Sequence, residues 1–273
     1  MPMETNTASR MIFRKTNARL GRHIAVTPAN STNLHLSYGR IILNHQLPSV
    51  AFRNGDQETG FILLSGAAKI SVNGKDFDLT QYDGIYIPRD SSVEVTTGTD
   101  VDIAEFSSDV TNHYPLQVVR YADISKNPSL KFTAGAPTQQ RHLNIVLGKN
   151  VEAGRLVLGF TMSEPGNWTS WPPHEHTAML EEMYVYFNMP DPAFAIQLVY
   201  ENTEYPEMMT AVRDGDAVLM PGGYHPNVSV PGHRVCFLWA MAAHREKEDR
   251  QFGVVNVQPG FGAGGSGLEA SHK

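Results

Sequence analysis

Asp214-Gly215-Asp216-Ala217-Val218-Leu219-Met220-Pro221 is echoed earlier in the chain by Asp83-Gly84-Ile85-Tyr86-Ile87-Pro88. Each copy reads as an acidic, glycine-containing turn, then a short apolar strand, then a proline that withdraws a ladder donor and ends it. Around each copy lie short runs rich in Val, Ile, Phe and Tyr, separated by Gly, Asn, Asp and Pro. That is the pattern of a sandwich or barrel. In the first series, strands are expected at residues 61–64, 69–72, 77–79, 84–87 and 93–95, with Asn73-Gly74 as a hairpin turn. In the second they are expected at 144–147, 155–162, 183–187, 195–200, 217–220 and 234–241. No segment carries a long helical period, and a short helix near 121–126 would be limited by Pro128. The repeat implies two related β-barrel halves joined near residues 108–140.

The chain has 273 residues, enough for two halves of ~100–150 residues each. Hydrophobic residues make up 41% and charged residues 18%, an ordinary globular balance. A net charge of -6 without a Lys/Arg cluster argues against a nucleic-acid partner. No apolar run approaches the ~20 residues needed to span a bilayer. The basic residues Arg10, Arg14 and Lys15 are not followed by an apolar signal segment. The single cysteine, Cys236, sits in an apolar run and cannot form an internal disulfide. A buried, inert thiol in a reducing, cytoplasmic compartment is therefore expected, with no membrane partner. The Gly-, Ala- and Ser-rich stretch 261–273 is expected to be a flexible tail.

Chemistry concentrates in Trp171-Pro172-Pro173-His174-Glu175-His176-Thr177-Ala178-Met179-Leu180-Glu181-Glu182-Met183-Tyr184. On extended backbone, side chains at i and i+2 face the same way, so His174 and His176 converge. The two prolines favour extended chain ahead of them. The same period puts Glu182, Tyr184 and Tyr186 on one face of the next strand and Met183, Val185 and Phe187 on the other. Further on, Pro221-Gly222-Gly223-Tyr224-His225-Pro226 lets the backbone bend and aim a third imidazole inward. Any one of these histidines alone reads as a surface group. Together, His174, His176, Glu182 and His225 suit a divalent first-row metal with a position left for water or substrate.

These residues resemble the two motifs of the cupin superfamily, HxH followed by a glutamate and then a glycine-rich turn with a histidine. Within it the chain resembles the KduI/IolB isomerases over most of its length. Gly166-Asn167-Trp168-Thr169-Ser170-Trp171-Pro172-Pro173-His174-Glu175-His176, Leu180-Glu181-Glu182-Met183-Tyr184 and Gly223-Tyr224-His225-Pro226 carry the likeness. The resemblance implies a bicupin, two related double-stranded β-helix (jelly-roll) barrels. It divides the chain into an N-terminal cupin-like half without metal (1–135), a metal-bearing cupin (136–260) and the tail. It implies that His174, His176, Glu182 and His225 bind a divalent metal, usually Zn2+, with Mn2+, Fe2+ and Ni2+ as alternatives. Glu181 competes with Glu182 for that place, and the family pattern favours Glu182. In the N-terminal half Ser92 stands where His225 would be, counted from the proline.

The resemblance further implies an aldose–ketose isomerase acting on a deoxy-uronate. The expected substrate is 5-deoxy-glucuronate, from inositol catabolism, and the alternative is 5-dehydro-4-deoxy-D-glucuronate, from pectin breakdown. A cation is needed for the substrate carboxylate, and Arg141 and Arg213 are the candidates. The proton-moving base stays open between a metal-bound hydroxide, Glu175 and Tyr184, with Tyr224 and Tyr186 as hydrogen-bonding groups. Rival readings are a cupin dioxygenase and a non-catalytic sugar-acid-binding bicupin. A two-barrel chain with sheet edges is expected to form a homo-oligomer.

Overall fold

The computed structural model describes residues 10–261. Of the expected tail, only Phe261 falls within them. The fold is all-β, and the one helix among the described residues is the single turn Tyr121–Ile124. None of their helices is long and apolar enough to cross a membrane.

A six-stranded sheet runs, in spatial order, Gln117–Val119, Gly84–Ile87, Gln57–Ser65, Val101–Asp109, Ser37–Leu43 and Gly21–Val26. A seven-stranded sheet runs Ile12–Phe13, Ala217–Met220, Leu180–Tyr186, Cys236–Ala243, Leu156–Ser163, Arg141–Leu147 and Lys131–Ala134. Each faces a four-stranded sheet: Ser49–Arg53, Ser92–Thr96, Ala67–Val72 and Lys75–Thr80 for the first. For the second it is Trp168–Thr169, Asn227–Ser229, Ala195–Val199 and Met208–Val212. The pairing order repeats strand for strand, apart from the extra edge strand Lys131–Ala134. At Asn73-Gly74 both residues have positive φ, 50° and 79°, as a two-residue hairpin turn requires.

The structure moves the register of the sequence repeat. In the ladders Thr59 pairs with Ile87 and Glu182 with Met220, each partner directly preceding its proline. Alignment on the prolines therefore matches Asp83 with Asp216 rather than with Asp214. The hydrogen bonds agree: Asp83 Oδ2 accepts the Thr80 N–H at 3.0 Å and Asp216 Oδ2 accepts the Arg213 N–H at 3.0 Å. The left-handed position belongs to Tyr82 (φ 68°) in one turn and Gly215 (φ 78°) in the other.

Leading strands are exchanged between the halves. Ile12–Phe13, at the start of the chain, hydrogen-bonds to Ala217–Met220, while Gln117–Val119 returns to Gly84–Ile87. The residues after each strand hold the matched aspartates. Arg14 and the Lys15 N–H bind Asp216 at 2.7 and 3.1 Å, and Arg120 and the Tyr121 N–H bind Asp83 at 3.0 and 2.8 Å.

Both faces of the central strands of the large sheets are buried, which is why Gly84–Ile87, Leu180–Tyr186, Ala217–Met220 and Cys236–Ala243 read as nearly continuous apolar runs. Met183, Val185, Leu238 and Ala240 point into a core shared with Ile62, Tyr86 and Phe106 of the other large sheet. Tyr184, Tyr186, Trp239 and Met241 point toward the four-stranded sheet of their own half. Ile41, Phe61, Ile70, Val95 and Ile103 fill the corresponding space of the first half. Each such side chain fully buried contributes about 1.5–3 kcal/mol of transfer free energy.

Candidate metal centre

The approach Pro172-Pro173 delivers a two-residue strand, His174–Glu175, whose antiparallel partner is Asn256–Val257. Alternation turns His174 inward and Glu175 outward. The chain then doubles back. The His176 carbonyl accepts the N–H groups of Met179 and Leu180, both at 2.9 Å, so its ring sits over the start of Leu180–Tyr186. Two residues into that strand, Glu182 is almost completely buried. His225 arrives through Gly223, whose φ is 83°. A Cβ there would lie 2.9 Å from the Tyr200 carbonyl oxygen, so both conformation and space require glycine.

His176, Glu182 and His225 bring one ligand atom each to within 4.8 Å of one another, all three residues buried. The His174 ring stands beside them, its centroid 5.0 Å from that of His225 and 6.3 Å from that of His176. All three imidazoles donate Nδ1–H to a backbone carbonyl: His174 to Pro172 at 2.8 Å, His176 to Leu180 at 3.0 Å and His225 to Gly223 at 2.9 Å. That turns each Nε2 toward the centre, as the ring atom that can offer a lone pair to a cation once it carries no proton.

The consequence is a site rich in electron pairs. Glu182 Oε2 lies 3.0 Å from Nε2 of both His176 and His225. The His176 contact is an aligned hydrogen bond, whereas His225 Nε2 is buried without one. Burial raises the Glu182 pKa, but the His176 and His225 rings beside it outweigh that and hold the carboxyl down at about 2. Burial pushes the His174 imidazole down to about 3, with His225 adding to the effect. For His176, burial is overcome by the Glu182 carboxylate and the pKa rises. An anionic carboxylate facing two imidazole nitrogens, one of them buried without a hydrogen-bond partner, is a donor set that a divalent cation satisfies. The residues fit the group. Among the described residues, this is the one such cluster of histidine, cysteine and carboxylate groups.

A cavity of about 50 Å³ lies against these side chains. Arg141 lines it, buried, with hydrogen bonds to the carbonyls of Trp171 (2.6 Å) and Gln139 (3.1 Å). Tyr184 also lines it, its hydroxyl 2.6 Å from Ser170 Oγ and its ring 5.9 Å from that of His225. Burial, with the nearby Glu182 charge, raises the Tyr184 pKa well above its ordinary value.

Five of the sequence-derived residues are not brought to the cavity. Arg213 is exposed, on the rim of a separate surface depression with Arg14 and Asp214, its guanidinium over the Phe194 ring. Tyr224, adjacent to the inward His225, points the other way and packs on Tyr200. Glu175 accepts hydrogen bonds from the Asn256 side chain at 2.6 Å and the Thr177 N–H at 2.7 Å, outside the cavity wall. Tyr186 shares the face of Glu182 but lies deeper. Its hydroxyl donates to Gln197 at 2.5 Å, and Gln197 in turn donates to the His225 carbonyl at 3.1 Å. Tyr186 thus supports the His225 backbone from behind. Glu181 turns away to accept the N–H groups of Leu34, His35 and Leu36.

Two cavity features escaped sequence reasoning. Ser170 has φ 51°, a conformation nothing in its neighbours announces. Phe252, Gly253, Val254 and Val255 close one side of the cavity from a stretch with no strand period.

The chain belongs to the KduI/IolB family, whose model matches residues 11–255. It is 28% identical over 204 residues to a 5-deoxy-glucuronate isomerase of Geobacillus kaustophilus (strain HTA426), covering 68% of this chain and 72% of that one. It is 27% identical over 228 residues to a 4-deoxy-L-threo-5-hexosulose-uronate ketol-isomerase of Caldicellulosiruptor bescii, covering 76% and 79%. In fold it is similar to the crystal structure of an IolB-like protein from Salmonella typhimurium LT2, with a TM-score of 0.81 and 20% identity over 92% of this chain and 98% of that one. It is also similar, at a TM-score of 0.62 and 11% identity, to the oxalate decarboxylase of Bacillus subtilis, a protein with Mn(II) centres, over 90% and 79%.

Proposed function

We propose that this member of the KduI/IolB family is a metal-dependent aldose–ketose isomerase acting on 5-deoxy-glucuronate. One observation carries the reading: a single cavity is lined by His174, His176, Glu182, Tyr184 and Arg141, with His225 completing the donor group behind them. A sugar acid presents a carboxylate and a carbonyl beside a hydroxyl, and these side chains match both ends.

In this reading His176, Glu182 and His225 hold the cation, with His174 as the fourth protein ligand and zinc as the resident metal. A divalent cation bound there supplies Lewis acidity toward a carbonyl and its neighbouring hydroxyl, worth several kcal/mol. Arg141, a cavity-lining guanidinium, orients the substrate carboxylate. Ser170 fixes the Tyr184 hydroxyl, which burial keeps protonated, so that it can give its proton to the oxygen on which charge develops and take it back as the carbonyl forms on the neighbouring carbon. The apolar wall of Leu143, Trp239 and Phe252 excludes water from the reacting carbons.

The same reading takes the two sheet pairs as two cupin barrels, a metal-free N-terminal one (1–135) and a metal-bearing C-terminal one (136–260), with leading strands exchanged. It expects a cytoplasmic homo-oligomer without nucleic-acid or membrane partners, in keeping with one buried cysteine.

The test is turnover of 5-deoxy-glucuronate and of the 4-deoxy-5-keto uronate by metal-replete protein, followed by NMR. Conversion of the first between its aldose and ketose forms is the expected result. Conversion of the second alone moves the protein to the reaction named for the Caldicellulosiruptor bescii relative. Conversion of neither refutes the reading.

A further inference from the structure

We propose that residues 252–258 form a gate over the metal cavity, with Phe252 as its leaf and the Glu175–Asn256 pair as its latch. The proposal rests on the reading of that cavity as the place where a sugar acid reacts.

Size is the first argument. The inner cavity measures about 50 Å³, whereas pockets that enclose small organic ligands measure ~300–1,000 Å³. A cavity of that size has room for a few waters and excludes a six-carbon sugar acid. Immediately outside lies a second cleft of about 330 Å³. Phe252 and Gly253 line both spaces and so form the partition between them. The floor is continuous beneath them. Leu143 lines the inner cavity and Ile145, two residues along the same strand and on the same face, lines the outer cleft. Removing the partition joins the two into a space of ligand size.

The partition is built to move. Phe252 is held by its stack on Trp239, ring centroids 4.8 Å apart and 17° from parallel. Gly253 follows it with φ 86°, where backbone can pivot without a Cβ penalty. Beyond it the segment is fastened by a ladder of only two residue pairs, His174 with Val257 and Glu175 with Asn256. Two-stranded pairings of this kind are marginal by themselves. Three further bonds close the strap: the Asn256 side chain to Glu175 at 2.6 Å, the Gln258 N–H to the Pro173 carbonyl at 2.8 Å, and the Tyr200 hydroxyl to Gln258 at 2.7 Å. Glu175 and Asn256 are at the solvent side, where water replaces such bonds at low cost. Lys149, exposed on the outer cleft, places a positive charge ahead of the partition, and Arg141 places one behind it. An anionic substrate is thereby drawn from one to the other. Because His174 shares its ladder with Val257, gate and metal centre are mechanically joined.

The double variant Glu175→Cys/Asn256→Cys tests the gate, since facing residues of an antiparallel pair lie ~4.5–5.5 Å apart at Cα, within disulfide reach. The zinc-loaded variant is compared oxidised and reduced, by release of zinc to a chelator and by turnover of 5-deoxy-glucuronate. Oxidation should slow both by at least ~10-fold, with recovery on reduction. Phe252→Ala, with no cross-link, should instead release zinc ~10-fold faster than the natural chain. Cysteines that fail to pair, or equal zinc release from cross-linked and reduced protein, overturn the gate. Zinc release that depends on the cross-link, in a protein that turns over neither uronate in any form, leaves the gate standing and removes the isomerase reading.

Discussion

Glu58 and Glu181 occupy matching places in the two large sheets, and each accepts three backbone N–H groups from the opposite half. Glu58 takes those of Gly154, Arg155 and Leu156 at 2.7, 2.6 and 2.8 Å. Glu181 takes those of Leu34, His35 and Leu36 at 2.6, 2.8 and 2.6 Å. The equivalence follows from the ladders, because each residue directly precedes the one paired across from its pre-proline strand end. A reciprocal pair of carboxylate clamps thus fastens the halves across their shared apolar core.

Removing a clamp should be costly. Glu58→Ala leaves three backbone N–H groups and the buried Tyr86 hydroxyl without their acceptor, and each buried group so orphaned costs ~1–3 kcal/mol. A loss of at least ~3 kcal/mol is expected in chemical denaturation, with Glu58→Gln, which keeps one acceptor oxygen, losing less. A loss below ~1 kcal/mol would show that water substitutes for the carboxylate.

The metal centre predicts an asymmetry between the halves. His176→Ala should lower affinity for zinc by more than ~100-fold and abolish turnover, because it removes a donor from a buried set. Ser92→Ala, at the matching distance from its proline and bonded to Arg53 at 2.8 Å, should change neither. Metal content after dialysis against a weak chelator measures both variants. Full zinc occupancy in His176→Ala would remove that residue from the ligand set.

Tyr184 separates chemistry from binding. Tyr184→Phe deletes only the hydroxyl held by Ser170. Zinc content should be unchanged while kcat falls ~100-fold, the usual contribution of a positioned proton-transfer group. Unchanged kcat assigns the proton to another group.

Acid stability has a contribution from Glu246. Burial raises its pKa, but the N–H groups of Thr111 and Asn112 and the Tyr114 hydroxyl outweigh that and hold it at about 2. The folded value lies below the unfolded one of ~4.3, so the stabilisation is present in full above the unfolded value. It is lost as pH falls toward about 2. Glu246 is partly exposed, so solvent screens the effect. Thermal midpoints of the natural chain and Glu246→Gln should differ at pH ~6 and converge near pH ~2. A constant difference across that range would show the glutamate acting through packing rather than charge.

Sheet faces were legible in the chain itself. The period of two sent Glu175 outward and separated Glu182 from Glu181, as the hydrogen bonds of those residues show; the His174 and His176 rings stand 6.3 Å apart, although the strand ends at Glu175 and the chain doubles back after it. Depth along a strand was not legible. Tyr186 shares a face with Glu182 yet lies behind the cavity, because Gln197 and Asn227 of the four-stranded sheet reach it there.

What the sequence by itself determined is therefore local: an all-β chain, the alternating faces of its strands, and a set of imidazole and carboxylate groups of the right chemical type. Alternation is a property of a few consecutive residues, and no distant partner alters it. Tertiary structure alone decided which arginine stands at the cavity, that Ile12–Phe13 serves the second large sheet, and that Phe252–Val255 closes the site. Those outcomes depend on which segments, far apart in the chain, bury their apolar faces against one another.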